Sequence, residues 1–510
     1  MKANKLVRIL CLSLIMLCWS ITSWADQPVK LRLLYFNDFH GFADPSKSSA
    51  NPDQWGGIAY LAAEVNRLRE ECPTLLLAAG DMIQGHPWAN LFEGRSTIEV
   101  LNAMQVSAMV LGNHEFDFGQ EALKKRSEEA RFPILAANVK GLKGIRPYMI
   151  TEAGGLRIAV IGVVTENTPT ATHPKNVKGL SFTSPITAVR EVLRGLAPKP
   201  DLLIILSHLG FPADQRLAKA VPGIQVIVGG HTHTRIETPV QADETLIVQA
   251  WEHGKVLGLL DLTVRNGKVL DYEGRLIPIQ QESIKPDPRI TKIVENYNLK
   301  AKTILEEVIG EALVDLQAQG SRMQETNLGN FVADILREET KADAALINGG
   351  GLRDDILKGP IRGRDLLSVL PFRNFPLSFK VKGHELKAIL EHGFSNLSGG
   401  AGGYPQVSGM RVTYNPTAPV GERVNGLWVK DKPVEPEAWY TLATYDFLAS
   451  GGDGYSIIAD LISLKDGYPV KNPRLVFFES GRDIREITEA YIRTKKKVSA
   501  QIEGRIRISQ

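Results

Sequence analysis

Asn113-His114-Glu115-Phe116-Asp117 follows Gly112 and the short apolar run 108–111, and four other strings of the chain repeat its layout. Asn37-Asp38-Phe39-His40-Gly41 follows the run 30–36, Gly80-Asp81 follows 75–79, Ser207-His208 follows 202–206, and Gly229-Gly230-His231-Thr232-His233 follows 225–228. Short continuous apolar runs of this kind are the form of parallel strands buried on both faces. Open α/β sheets bind ligands outside the carboxyl ends of their strands, so five such ends bring their polar residues to one rim. Together they supply Asp38, His40, Asp81, Asn113, His208, His231 and His233, a donor set large enough for two metal ions. Asp38-x-His40 alone carries little information, because the pattern arises by chance at ordinary residue frequencies. The combination carries much more, since five of the ten histidines fall in these strings. His86, His173, His253, His384 and His392 are read as packed or surface residues, with His86 and His253 near enough to the motifs to support the ligands.

The chain has 510 residues, 43% hydrophobic and 23% charged, which suits a soluble globular protein of two domains. Its beginning differs from the rest. Lys2, Lys5 and Arg8 precede an apolar stretch from 9 to 19, and Ser23-Trp24-Ala25 places small residues where a signal peptidase reads them. Residues 1–25 are therefore expected to be a signal peptide, because an apolar segment of roughly 12 residues is too short to span a bilayer. Leu17 before Cys18 lacks the small residue that lipid attachment requires. A periplasmic or secreted protein without a stable membrane anchor follows. Removal of the leader takes three basic residues and leaves 57 of each sign, so no basic surplus points to polymeric nucleic acid or an anionic membrane. Cys72 alone remains, and stability must come from the cores rather than from an internal disulfide.

Strand and helix signals alternate over residues 26–280, which reads as one α/β domain. Pro286 and Pro288 open a helical run from about 290 to 308, giving a linker helix within 281–309. A smaller α+β domain is expected over 310–510. It carries its own strings: Glu325-Thr326-Asn327-Leu328-Gly329-Asn330 at a helix start, Asn348-Gly349-Gly350-Gly351-Leu352-Arg353 after the apolar run 344–347, Pro371-Phe372-Arg373-Asn374, and the stretch 447–455. Glycine backbone beside a guanidinium suits the close approach of a phosphate-like anion. Asp453 stands six residues beyond the aromatic face of Phe447.

On these strings the chain resembles the secreted two-domain 5′-nucleotidases, whose relatives include UDP-sugar hydrolases and 2′,3′-cyclic nucleotide phosphodiesterases. The resemblance implies a four-layer αββα metallophosphoesterase sandwich followed by the smaller domain. It implies two divalent ions (Zn, Mn, Co or Fe), one held by Asp38, His40, Asp81 and His233 and the other by Asp81, Asn113, His208 and His231, with Asp81 bridging. His114 is then the group that acts on the phosphoryl oxygen, with Asp117 fixing its tautomer. In the second domain the resemblance assigns Arg322 and Arg353 to phosphate, Phe372 and Phe447 to the faces of a base, Asn374 to its edge and Asp453 to the ribose. Two departures stand out: several relatives carry Gln or Asn where this chain has His233, and some carry Arg where it has Ala318.

The expected activity is hydrolysis of nucleoside monophosphates to nucleoside and phosphate. Other uses of the same machinery are UDP-sugar or cyclic nucleotide hydrolysis and, more distantly, sulfur-ester hydrolysis. A nucleotide receptor without catalysis would share the two-domain cleft but has no need of His114 and Asp117. Residue pattern alone ranks neither the nucleotides nor the metals, and it says nothing of oligomeric state.

Overall fold

The computed structural model describes residues 27–48, 51–280, 284–397, 401–462, 464–465, 468–469, 472–478 and 481–509. The expected signal peptide, residues 1–25, lies outside the described residues. Among them, no helix is long and apolar enough to cross a membrane.

Alternation along the buried strands builds the first half of the chain. In Val29–Phe36, Leu31, Leu33 and Tyr35 point one way and Leu34 and Phe36 the other, and all five are inaccessible to water. One six-stranded sheet runs in the order Lys268–Pro278, Val256–Arg265, Val29–Phe36, Thr74–Ala78, Ala108–Val110, Ile134–Leu135. A second runs Val240–Ala242, Thr245–Gln249, Val226–Gly229, Leu202–His208, Leu156–Val164, Tyr148–Ala153. Leu31, Leu33, Leu75 and Leu77 of the first sheet share one apolar layer with Ile158, Val160, Ile204, Leu206 and Val226 of the second. The outer face of the first sheet packs Leu34, Phe36 and Leu76 against the helices Ile58–Arg69 and Arg95–Ala103. The outer face of the second packs Ile161, Ile205 and Ile227 against Pro185–Gly195 and Phe211–Ala220. The result is the αββα sandwich expected from the sequence. Its middle layer is fully enclosed, so truncating Leu206 to Ala costs about 2–5 kcal/mol through lost burial and the cavity left behind.

The central strands of both sheets are parallel, with antiparallel strands only at the margins. That arrangement brings their carboxyl ends to one edge, where the motif loops begin.

Pro288–Leu305 forms the expected helix, with Asp287 as its cap: its carboxylate accepts from Arg289 N at 2.8 Å and Ile290 N at 3.3 Å. It ends three residues earlier than the sequence pattern suggests, because Val308 already belongs to the strand Val308–Ala312 that pairs with Gly359–Arg362. Ile290, Val294, Tyr297, Ala301 and Leu305 form its buried stripe at helical spacing. Tyr297 packs edge-on against Trp88 and Phe92 and donates to Glu99 at 2.7 Å. The last turn, Ala301 and Leu305, packs with Leu367 from the second half of the chain. The connector is thus fastened to the sandwich along most of its length.

The second half is built on a five-stranded sheet, Pro405–Ser408, Ala344–Asn348, Trp439–Tyr445, Pro376–Lys382, Leu475–Phe478, covered by Asn327–Thr340 and neighbouring helices around one core. Thr326 caps Asn327–Thr340 as the sequence suggests, its hydroxyl accepting from Gly329 N at 3.0 Å.

Candidate active site

All seven candidate ligands come to one rim of the sandwich. Two groups of mutually close donors form there, Asp38 with His40 and His233, and Asp81 with His208 and His231, the donor atoms of each lying within 4.8 Å of one another. Asp81 reaches toward both, its Oδ2 3.1 Å from His208 Nε2 and 3.9 Å from His40 Nε2. Asn113 lies beside it with a buried side-chain oxygen that meets no donor.

The backbone at these loops is unusual. Asp38, His40, Asp81, His231 and His233 all adopt left-handed conformations, with φ between 48° and 79°. Each costs an ordinary L-residue of order 1–2 kcal/mol and persists only where its surroundings fix it. The fixing contacts are present. Glu115 accepts from the backbone N–H groups of Gly112 (2.5 Å), Asp81 (2.9 Å) and Met82 (2.7 Å), so one buried carboxylate ties the Asp81 loop to the Asn113 loop. Asn37 donates to Asp38 Oδ2 at 2.7 Å, and His231 N donates to the same oxygen at 2.9 Å. Gly80 and Gly112 precede the two loop ligands for a steric reason: a Cβ on Gly80 would collide with the His208 ring, and one on Gly112 with the Asp81 carboxylate.

The second ring nitrogen of each central histidine is already used. His40 Nδ1 lies 2.8 Å from Gln84 O, His208 Nδ1 2.7 Å from Ala79 O, and His233 Nδ1 2.6 Å from Glu252 Oε2. A carbonyl can only accept, so Nδ1 carries the proton in the first two and Nε2 turns toward the carboxylates, the arrangement of a metal-ligating imidazole. Burial alone would raise the Asp81 carboxyl, but His208 and His114 hold it well below its ordinary value, and against the same burial His233 lowers Asp38. Conversely, burial opposes charging of His208, yet Asp81 and Asp38 push it up to about 10. Two enclosed carboxylates that stay ionised call for cationic partners. With borderline nitrogen donors and an orphaned amide oxygen beside them, the residues fit a pair of divalent ions.

His114 stands at the edge of this cluster. Its backbone N–H donates to Asp81 Oδ1 at 2.9 Å, and its Nδ1 lies 2.6 Å from Asp117 Oδ2. The other Asp117 oxygen accepts from Thr172 Oγ1 at 2.5 Å. The dyad therefore sits in a fixed rotamer.

The second half faces the same space. A cleft of about 1910 Å³ is lined by Asp81, Asn113, His114, His231 and His233 from the sandwich and by Arg322, Arg353, Phe372, Asn374, Phe447 and Asp453 from the other side. The Phe372 ring stacks on His114 at 5.8 Å between centroids, and Arg353 lies 3.4 Å from His40 Nε2. Burial and the neighbouring Arg353 charge lower Arg322 to about 10, as expected of two guanidinium groups converging on a place for an anion. Asp453, with φ of 50°, accepts from Asn348 at 2.5 Å, and its backbone carbonyl accepts from His392 Nε2 at 2.9 Å. All six second-domain candidates are thus brought to the cleft.

Sequence reasoning missed several supports. His392, read as a packed or surface residue, anchors the Asp453 loop. His173, also dismissed, crosses between the halves, its Nε2 3.2 Å from Asp446 Oδ2 beside Phe447. His253 stacks on Phe42 at 3.8 Å and stands edge-on to His40, and His86 lies 5.0 Å from Phe42 between ring centroids. Glu115 and Glu252 were passed over, although Glu252 follows a strand, Thr245–Gln249, as the recognised ligands do. His384 remains on the surface, beside Pro436 O.

A rim of carboxylates and imidazoles at the strand ends of an αββα sandwich defines a calcineurin-like phosphoesterase, and the model of that family matches residues 31–235. The class is that of metal-dependent phosphoester hydrolases. The model of the 5′-nucleotidase C-terminal domain matches residues 308–460. The chain is 30% identical to the 5′-nucleotidase of Homo sapiens over 94% of its own length and 91% of that protein. It is 29% identical to the trifunctional nucleotide phosphoesterase YfkN of Bacillus subtilis, of whose length it spans 35%. The crystal structure of a 5′-nucleotidase precursor from Thermus thermophilus superposes with a TM-score of 0.85 at 33% identity, covering 94% of this chain and 99% of that one. The chain belongs to the 5′-nucleotidase family, and nucleotide phosphoester hydrolysis is its chemistry.

Proposed function

We propose that the protein is an exported 5′-nucleotidase that hydrolyses nucleoside monophosphates. One observation carries the reading: the His114 imidazole lies between the acid–histidine cluster and the ring of Phe372, so phosphoryl-handling groups and an aromatic platform share one cleft. In this reading residues 26–280 form the catalytic domain, 281–309 the connector and 310–510 the substrate domain. Asp38, His40, Asp81 and His233 hold one divalent ion, and Asp81, Asn113, His208 and His231 hold the other. Bound ions supply Lewis acidity to the phosphoryl oxygens and an acidified water as nucleophile.

The chain's own residues account for the rest. Arg353 and Arg322 neutralise phosphate oxygens, Arg353 by a planar fork that matches them. Phe372 and Phe447 hold the base between them, Asn374 meets its edge, and Asp453 accepts from the ribose hydroxyls. His114, hydrogen-bonded through Nδ1 to Asp117, presents Nε2 to the departing 5′ oxygen and protonates it as the P–O bond breaks.

The test is a substrate panel on metal-reconstituted mature protein: AMP, UDP-glucose, 2′,3′-cyclic AMP and a thiosulfate ester. AMP is expected to give the highest kcat/KM. Faster turnover of UDP-glucose or the cyclic nucleotide moves the protein to another member of the same group of activities. Tight binding of AMP without phosphate release makes it a receptor. Recovery of the protein from the periplasm or medium with residues 1–25 removed tests the export reading.

A further inference from the structure

A sixth parallel strand, Thr245–Gln249, also ends at the rim, and the loop after it is tied to the Asp38 loop at three points. Ala250 N donates to Asn37 Oδ1 at 2.7 Å, Asn37 Nδ2 donates to Trp251 O at 2.6 Å, and His253 N donates to Asp38 O at 2.8 Å. Trp251 and His253 both take left-handed backbone conformations, which turn the residue between them, Glu252, back toward His233. Glu252 Oε2 lies 2.6 Å from His233 Nδ1, while Oε1 accepts from Lys255 Nζ at 2.7 Å. Lys255 in turn lies 4.6 Å above the Trp251 ring. With one carboxylate oxygen taken by Lys255, the other accepts from His233 Nδ1. His233 Nε2, turned to Asp38 Oδ1 at 3.3 Å, is then the nitrogen left to meet an ion at that position.

From this geometry we infer that Glu252 is a positioning residue for the metal position of Asp38 and His40: it fixes the tautomer and ring angle of His233 and strengthens Nε2 as a donor. The inference rests on the reading of His233 as a ligand. It differs from the supports of His40 and His208, which are neutral backbone carbonyls. A carboxylate is the stronger acceptor, and a partner of this kind is worth about 10–100-fold in metal affinity. The three backbone ties matter because they hold Glu252 in register with Asp38, so both sides of the same position are set by one pair of loops.

The experiment measures metal retained per chain, by elemental analysis, in Mn-loaded and Zn-loaded protein equilibrated against graded chelator. It compares wild type with Glu252→Leu, Glu252→Gln, His233→Ala and the double variant Glu252→Leu/His233→Ala. Glu252→Leu is expected to weaken retention of one ion about 10–100-fold and leave the other unchanged. Glu252→Gln, which keeps an acceptor for Nδ1–H, should recover part of that loss and guards against a folding defect in the Leu variant. In the His233→Ala background the same Leu substitution should cost nothing further. Wild-type retention in Glu252→Leu overturns the inference, and so does an equal loss with and without His233, which makes Glu252 a structural residue. If His233→Ala itself keeps both ions tightly, the ligand reading of His233 is the part that fails.

Discussion

His114 Nδ1 and Asp117 Oδ2 are 2.6 Å apart across one turn of a 3-10 segment, His114–Phe116, that begins directly at the candidate ligand Asn113. Chain geometry therefore couples the proton-handling imidazole to the metal rim at a fixed offset. On the proposed mechanism, removing the imidazole takes away a group that acts in the transition state but holds no ion. His114→Ala is expected to lower kcat for AMP by roughly 10² to 10⁴ with two ions still bound, and Asp117→Asn by less. Elemental analysis beside the kinetics checks this, because loss of an ion from His114→Ala makes His114 a ligand.

Thr172 donates to the second Asp117 oxygen, so the dyad has a third member that no local pattern marks. Thr172→Val keeps the shape and deletes the donor. Turnover is expected to fall less than in Asp117→Asn, with KM for AMP little changed, since one neutral-to-charged hydrogen bond contributes about 1.5–3 kcal/mol. A rise in KM with unchanged kcat assigns Thr172 to substrate binding instead.

Glu115 is wholly buried and collects backbone N–H groups from both the Asp81 and Asn113 loops. Glu115→Ala leaves those donors unpaired in a dry site, at about 1–3 kcal/mol for each. Thermal unfolding of the metal-depleted variant should show a stability loss of more than about 3 kcal/mol, whereas a loss under about 1 kcal/mol means that water satisfies these groups.

In the proposed reading, Phe447→Ala and Asp453→Ala remove contacts to base and ribose but touch nothing at the metal rim. Stacking contributes about 1–3 kcal/mol per base, so KM for AMP should rise by roughly tenfold or more in Phe447→Ala. Hydrolysis of p-nitrophenyl phosphate, which has neither group, should stay near the wild-type rate. Equal losses on both substrates indicate a disturbed fold.

The strand ends were legible because burial on both faces leaves continuous apolar runs, with Asp81 and Asn113 one glycine beyond theirs and His208 at the last residue of its strand. The helix Pro288–Leu305 was legible from its prolines and spaced Ile, Val and Leu; its attachment to Trp88 and Phe92 was not, because partners 200 residues apart leave no local pattern. Nor were the left-handed backbones of Asp38, His40 and His233, which depend on hydrogen bonds from other loops. His392 and His173 looked idle for the same reason: what makes them useful is a carbonyl at Asp453 and a carboxylate at Asp446, both supplied by the fold.

The central claim is that the acid–histidine rim and the aromatic cleft form one metal-dependent nucleotide hydrolase site. The most direct measurement is phosphate release from AMP by fully demetallated protein, before and after two equivalents of Mn, Co or Zn per chain, alongside Asp81→Ala treated in the same way. No release before metal, restoration after it, and no restoration in Asp81→Ala, which has lost the residue shared by both ion positions, is the expected result. Full activity in the demetallated protein, or an Asp81→Ala variant that binds two ions and works at the wild-type rate, contradicts it.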